Sequence, residues 1–220
     1  MQIKNYIFDL DGTLFESMNV WEAVDIAFFA KRGLTMPDDY TDAILAMHIA
    51  DAADYTMRRF CLRESANDIM REWMDMAADL YENVEMKPYA MECLNLIINQ
   101  GHKLAVATSL PPELMHPALR KHGLHDMFHA ICTAQEVGCG KIKPDIFNLA
   151  AAKLDTRPED CLVFDDILAA IKSAKNIGMK VCAVYDKASC KDWDEMKRLA
   201  DFSAQSLAFD PVSGLWRCIL

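Results

Sequence analysis

Two aspartates stand two residues apart near the start of the chain, in Phe8-Asp9-Leu10-Asp11-Gly12-Thr13-Leu14-Phe15. Carboxylates can serve as nucleophiles, proton carriers or ligands for a hard cation. The preceding Ile3-Lys4-Asn5-Tyr6-Ile7-Phe8 is short, apolar and β-prone, the pattern of a buried strand. Asp9 and Asp11 therefore fall at the carboxyl edge of a sheet, where open α/β folds gather their ligands. Asp-Gly after a strand is also an ordinary turn signal, so the pair alone leaves both readings open. Two further strand-like runs end in comparable residues. Lys103-Leu104-Ala105-Val106-Ala107 ends at Thr108-Ser109, and Cys161-Leu162-Val163-Phe164 ends at Asp165-Asp166. A parallel sheet brings such ends together, joining up to four carboxylates, a hydroxyl and a lysine of the 138–145 loop. Clustered carboxylates raise one another's pKa unless a cation joins them. Oxygen ligands with open positions suit Mg²⁺, which keeps waters and a substrate phosphate in its shell. A carboxylate nucleophile beside a lysine and Mg²⁺ is the equipment of an aspartyl-phosphate mechanism.

The elements that position these residues fall into two kinds. From residue 16 to 84 the pattern is helical, with no strand signal. Trp21, Val24, Ala27 and Phe28 mark a first helix that stops at Lys31-Arg32-Gly33. A second helix carries Ile44, Leu45 and Met47, and a third Tyr55, Met57 and Phe60. A fourth, with Ser65 as its N-cap and Asp68 in its first turn, runs through Ile69, Trp73 and Leu80. Trp21 and Trp73 read as core of this lobe, His48 as an exposed helix histidine, and Arg58 and Arg59 as partners of nearby acids. After Lys87-Pro88, helices and strands alternate at βαβ spacing, with Pro117 expected to kink a helix or mark its start. Thr156-Arg157-Pro158-Glu159 fits a capping box, and a helix near 192–200 closes the readable pattern. The expected architecture is α/β, a doubly wound, mainly parallel sheet in residues 1–14 and 87–220, with a four-helix cap inserted at 15–86.

At 220 residues, 52% hydrophobic and 25% charged, the composition is that of a soluble globular protein with a substantial core. No apolar run approaches the ~20 residues of a membrane span, and the N-terminus lacks the pattern of a signal peptide. The eight cysteines are scattered singly and read as reduced core residues of a cytoplasmic protein. Charge is uneven: residues 15–86 hold 6 Lys/Arg and 15 Asp/Glu, a balance of −9, whereas residues 87–220 hold 16 of each. A surface so acidic argues against nucleic acid as a partner. It favours a small substrate whose far end is neutral or cationic.

The set Phe8-Asp9-Leu10-Asp11-Gly12-Thr13-Leu14, Val106-Ala107-Thr108-Ser109, Gly140-Lys141-Ile142-Lys143-Pro144-Asp145-Ile146-Phe147 and Leu162-Val163-Phe164-Asp165-Asp166 resembles the four motifs of the haloacid dehalogenase-like superfamily. The inserted helices resemble the cap of its phosphoglycolate phosphatase and β-phosphoglucomutase branch. The resemblance implies Asp9 as nucleophile and metal ligand. It makes Asp11 the general acid and base, with its main-chain carbonyl on Mg²⁺. Thr108 and the N–H of Ser109 would bind the phosphoryl group, and Asp166, with Asp165 beside it, would complete the metal site. Aligning Pro144-Asp145-Ile146-Phe147 makes Lys141 the charge-neutralising lysine, with Lys143 the alternative. Ile167 and Ala170 depart from the branch's usual Ser and Gly. The implied function is Mg²⁺-dependent hydrolysis of a small phosphorylated metabolite, by a monomer or weak dimer. A phosphomutase, toward which Thr13 leans less, and a non-catalytic binding or regulatory protein are the alternatives.

Overall fold

The computed structural model describes residues 3–210 and 215–216. Six parallel strands form one sheet: β1 (Asn5–Phe8), β2 (Lys103–Thr108), β3 (Ala130–Thr133), β4 (Cys161–Asp165), β5 (Lys180–Val184) and β6 (Phe202–Ala204). Their order is β3-β2-β1-β4-β5-β6, so the chain builds outward from β1 to β3 and then returns to β1's other side with β4. This reversal makes the carboxyl ends of β1 and β4 the natural crevice of the sheet. Phe8 lies level with Phe164 in that register, and Asp9 N–H donates to Phe164 O at 3.0 Å. Asp9 and Asp165 thus leave the sheet side by side.

Strand alternation divides the core into two layers. Tyr6, Phe8, Leu104, Val106, Leu162 and Phe164 face one layer, and Ile7, Ala105, Ala107, Val163 and Val181 the other. The first layer is covered by α5 (Ala90–Asn99), α6 (Pro112–Lys121) and the inserted helices. The second is covered by α8 (Asp145–Lys153), α9 (Leu168–Asn176) and α10 (Trp193–Leu199), with the one-turn α7 (Ala134–Val137) preceding α8. The doubly wound α/β expectation holds. None of the cysteines described is disulfide-bonded; Cys93, Cys132, Cys161 and Cys182 are buried as expected, whereas Cys61 and Cys190 are exposed and Cys139 half-buried, so the core reading fails for those three; Cys218 lies outside the described residues. No described helix is long and apolar enough to cross a membrane.

Four helices lie between β1 and α5: α1 (Met18–Lys31), α2 (Tyr40–Ile44), α3 (Ile49–Arg59) and α4 (Ala66–Tyr81). Their shared core is aromatic. Phe28 meets Trp73 edge-on at 5.4 Å, and Phe29 meets Tyr40 and Phe60 at 4.8 Å each. Arg32 ties α1 to α4 by donating to both carboxylate oxygens of Glu72, at 3.1 and 2.7 Å. Ser65 caps α4 reciprocally with Asp68, and Arg58 and Arg59 pair with Asp54 and Asp39. The two connections to the sheet run together, with Glu16 N–H donating to Glu85 O and Lys87 N–H to Leu14 O.

Three local expectations are corrected. No capping box forms at 156–159, because only three residues, Pro158–Asp160, precede β4 and they wind as a 3-10 turn. Thr156 Oγ1 instead accepts a bond from Asn5 Nδ2. Of the two readings of Pro117, the helix start is overturned: Pro117 sits inside α6, which begins at Pro112, where a missing N–H is harmless. The second inserted helix ends at Ile44, before Met47.

One residue is out of keeping with the buried face of α1. Asp25 is 6% exposed and has no hydrogen-bond or ion-pair partner among the described residues. Burial pushes its carboxyl up to about 7. A folded-state pKa raised in this way leaves stability intact below the unfolded value near 3.9. The penalty grows as pH rises toward 7 and is complete above it. Asp25→Asn should therefore stabilise the protein at pH 8 by roughly 1–3 kcal/mol, and by much less at pH 5, as read by denaturant titration.

Candidate active site

The turn after β1 is forced by hydrogen bonding. Leu10 O accepts from Thr13, Leu14 and Phe15 N–H, and Gly12 N–H donates to Phe15 O. Gly12 takes φ +69°, and a Cβ there would lie 2.2 Å from Asp166 Oδ2. Glycine is needed on both grounds, conformation and close approach. Thr13, fully buried, donates from Oγ1 to Asp166 Oδ1 at 3.1 Å. The β1 turn thus fixes a carboxylate that belongs to β4.

Asp9, Asp165 and Asp166 are all buried, and oxygens from the three lie within 4.8 Å of one another. Lys141, 1% exposed, reaches into this cluster, with Nζ 2.6 Å from Asp9 Oδ1 and 2.8 Å from Asp165 Oδ2. Lys143 is exposed, so the alternative of the sequence resolves to Lys141 as the lysine that meets Asp9. Asp165 Oδ1 accepts from Ile167 N–H at 3.0 Å, a bond any residue at 167 could make. Ala170 is fully buried where α9 meets the sheet.

Burial dominates the electrostatics. It raises the Asp165 carboxyl to about 6, against the pull of Lys141 and with the push of Asp9. Burial, then Asp165, Asp9 and Asp186, drive Asp166 well above the usual range. Burial alone would lower Lys141, but Asp165 and Asp9 together hold its ammonium above the ordinary value. Three carboxylates against one ammonium leave a net negative, oxygen-lined cluster, and Asp166 Oδ2 is buried without a hydrogen-bond partner. An orphaned carboxylate oxygen beside two other carboxylates fits a hard divalent cation.

Asp11 stands outside that cluster of side chains. Its carboxylate accepts from Ser17 Oγ at 2.7 Å, Trp21 Nε1 at 3.2 Å and the hydroxyl of Tyr81. All three donors belong to the inserted segment. Burial raises the Asp11 carboxyl, and these hydrogen bonds only partly offset it. Only the main-chain carbonyl of Asp11 is left for the metal role expected of it. Trp21, read from the sequence as lobe core, packs against that core and is also an Asp11 donor, and Ser17 and Tyr81 carried no sequence signal for this. His48, expected as an exposed helix histidine, is instead half-buried at the N-cap of α3, its ring accepting from Ala50 N–H.

Thr108 is buried at the end of β2, and its Oγ1 accepts from Leu110 N–H at 3.1 Å, which leaves its proton to donate elsewhere. Thr108 and Ser109 share one cavity with Asp9 and Asp11. That cavity, about 140 Å³, runs from the sheet edge between the inserted helices. The site thus offers a carboxylate on a lysine, a second carboxyl of raised pKa, hydroxyl and amide donors, and an oxygen-rich pocket for a cation.

Comparison with known proteins agrees with this arrangement. The family model described as haloacid dehalogenase-like hydrolase matches residues 6–184. Hexitol phosphatase A of Escherichia coli is 29% identical over 199 residues, covering 89% of each chain. Among solved structures, CbbY of Rhodobacter sphaeroides in complex with phosphate superposes with TM-score 0.83 at 22% identity, over 97% of this chain and 99% of that one. A β-phosphoglucomutase of Clostridium difficile gives 0.81 at 18% identity, over 96% of each. The two structural likenesses speak to the fold.

The closeness of Gly12 to Asp166 gives a direct test. Gly12→Ala should cost roughly 2–4 kcal/mol in denaturant titrations, through the left-handed backbone and the displaced carboxylate. An unchanged midpoint would mean that Asp166 is not held against the turn.

Proposed function

The chain belongs to the haloacid dehalogenase-like hydrolases, and from that premise we propose that it hydrolyses a small phosphate monoester, a sugar or metabolite phosphate, through an aspartyl-phosphate on Asp9. The observation that carries this reading is Lys141 seated between Asp9 and Asp165 while Asp166 keeps an unsatisfied oxygen. Asp9 attacks phosphorus as the ester P–O bond breaks, and Asp11 delivers a proton to the leaving oxygen. Asp11 then takes a proton from water, which attacks the same phosphorus, releases inorganic phosphate and restores the Asp9 carboxylate. The raised pKa of Asp11 suits the first of these tasks, which needs a proton held near neutral pH. Lys141 offsets charge on Asp9 and on the incoming phosphoryl oxygens. The Thr108 hydroxyl and Ser109 N–H bind those oxygens, since phosphoryl transfer depends on positioning and charge stabilisation.

Asp9, Asp166 and the main-chain carbonyl of Asp11 would hold Mg²⁺, with Asp165 beside them. When bound, the ion supplies charge neutralisation at the phosphoryl oxygens. The proposed division is a catalytic core of 1–14 and 87–220 and a cap of 15–86 that excludes bulk water from the sheet edge.

The experiment is a screen of sugar and metabolite phosphates with Mg²⁺, reading released phosphate. Asp9→Asn should abolish turnover, by at least ~10³-fold for loss of a covalent nucleophile. Isomerised sugar phosphate without free phosphate would identify a mutase, and turnover unchanged in the variant would sink the mechanism.

A second test concerns Asp11. As the acid it must be protonated, so kcat/KM falls as pH rises through its pKa. Tyr81 donates to the charged form and so lowers that pKa. Tyr81→Phe should raise it and move the alkaline limb of the kcat/KM profile to higher pH. A limb that stays put, or moves down, would remove Asp11 from the acid role.

A further inference from the structure

The cavity that reaches Asp9 has a far end for which the proposed chemistry has no use. Among the described residues its only charged lining groups are Asp9, Asp11 and Asp25. All are acidic. Asp11 is engaged by Ser17, Trp21 and Tyr81, and Asp9 by Lys141. Asp25 has no such partner. It stands four residues beyond Trp21 on α1, about one helical turn or roughly 6 Å of rise, and lines the same cavity.

Buried carboxylates are ordinarily paired, because an isolated one is costly to keep out of water. The cavity that Asp25 lines supplies no cation. Its other walls include Met18, Trp21, Ile44, Met47 and Trp73, with the hydroxyl of Thr41 as a polar group. Indole faces favour cations, and the surrounding segment 15–86 carries −9. A second phosphate or a carboxylate on the substrate would meet repulsion throughout. A hydroxyl would satisfy one Asp25 oxygen and, where the carboxyl is ionised, leave its charge unpaired. An ammonium would satisfy the Asp25 charge and hydrogen-bond to its oxygens beside the indoles, while the buried Trp73 Nε1–H, which has no partner, is left for an acceptor such as a substrate hydroxyl.

Resting on the phosphatase reading, we propose that Asp25 is a specificity-determining residue that pairs with an ammonium group at the far end of the phosphate monoester. The substrate class is then an amino-alkyl or amino-sugar phosphate carrying a single phosphate. The cavity of about 140 Å³ is small beside the 300–1,000 Å³ of drug-sized pockets, in keeping with so compact a molecule.

The test compares matched pairs, O-phosphoethanolamine with 2-hydroxyethyl phosphate and 3-aminopropyl phosphate with 3-hydroxypropyl phosphate. Each is assayed with Mg²⁺ on the wild type and on Asp25→Asn. The wild-type ratio of kcat/KM, amine over hydroxyl, should be about tenfold or more for at least one pair, as a charge-assisted contact gives. Asp25→Asn should bring that ratio to about one, and because a ratio is read, general loss of activity cancels. Equal or hydroxyl-favouring turnover by the wild type would overturn the inference. So would an amine preference that survives the substitution. Calorimetric Kd values for the same compounds on Asp9→Asn, with and without Asp25→Asn, give the same ratio without turnover. Should no compound be hydrolysed, acetyl phosphate included, the phosphatase reading falls, while the Kd ratio still decides the role of Asp25.

Discussion

Mutual repulsion among Asp9, Asp165 and Asp166 is the constraint to which the rest of the molecule is fitted. Oxygens of these three groups lie within 4.8 Å of each other in a buried space. Such a cluster persists only with compensating charge and rigid support. Lys141 supplies one positive charge, bonded to two of the three. Support comes from the backbone: the β1–β4 register sets Asp9 beside Asp165, and the Gly12 turn presses Thr13 against Asp166. The remaining excess of negative charge is what a bound cation would offset.

Asp11 sits at the joint between this cluster and the helices. Its chain position is fixed by the β1 turn, but its carboxylate is held by Ser17, Trp21 and Tyr81. Any displacement of the helices from the sheet would remove those donors and alter the proton affinity of Asp11. The lysine loop is coupled in the same way. A Cβ on Gly140 would come within 2.4 Å of Ala46 O and 2.9 Å of His48 N, so the residue before Lys141 packs directly on the turn between α2 and α3. Position of the helices and chemistry at the sheet edge are therefore linked through two separate contacts.

The parts of this site legible in the sequence are those tied to backbone geometry. Asp9, Thr108 and Asp165 could be placed because strand ends are marked by an apolar run followed by polar residues, and parallel strands bring their ends together. The alignment of Pro144-Asp145-Ile146-Phe147 favours Lys141 over Lys143, and burial separates the two in the fold, Lys141 inside and Lys143 exposed. Trp21 packs against the lobe core as read, but its bond to Asp11 is missed because the direction of an indole N–H is not encoded in periodicity. Tyr81 lies 70 residues from the carboxylate it bonds. Thr156-Arg157-Pro158-Glu159 failed for a different reason: the right capping types stood before a segment too short to be a helix.

Asp25 shows why recognition is harder to read than catalysis. The proposed catalytic groups answer one another, so carboxylates imply a lysine and a cation, and the set can be assembled from the chain itself. A recognition group is answered by the ligand and, within the protein alone, looks like an error of patterning. On α1 it replaces what should be a hydrophobic residue between Val24 and Phe28, and it lowers stability above neutral pH. Its partner is absent from the sequence by construction. A buried charge that the fold leaves unanswered, in a cavity open to the reacting carboxylate, is thus the residue through which substrate chemistry enters the protein's design.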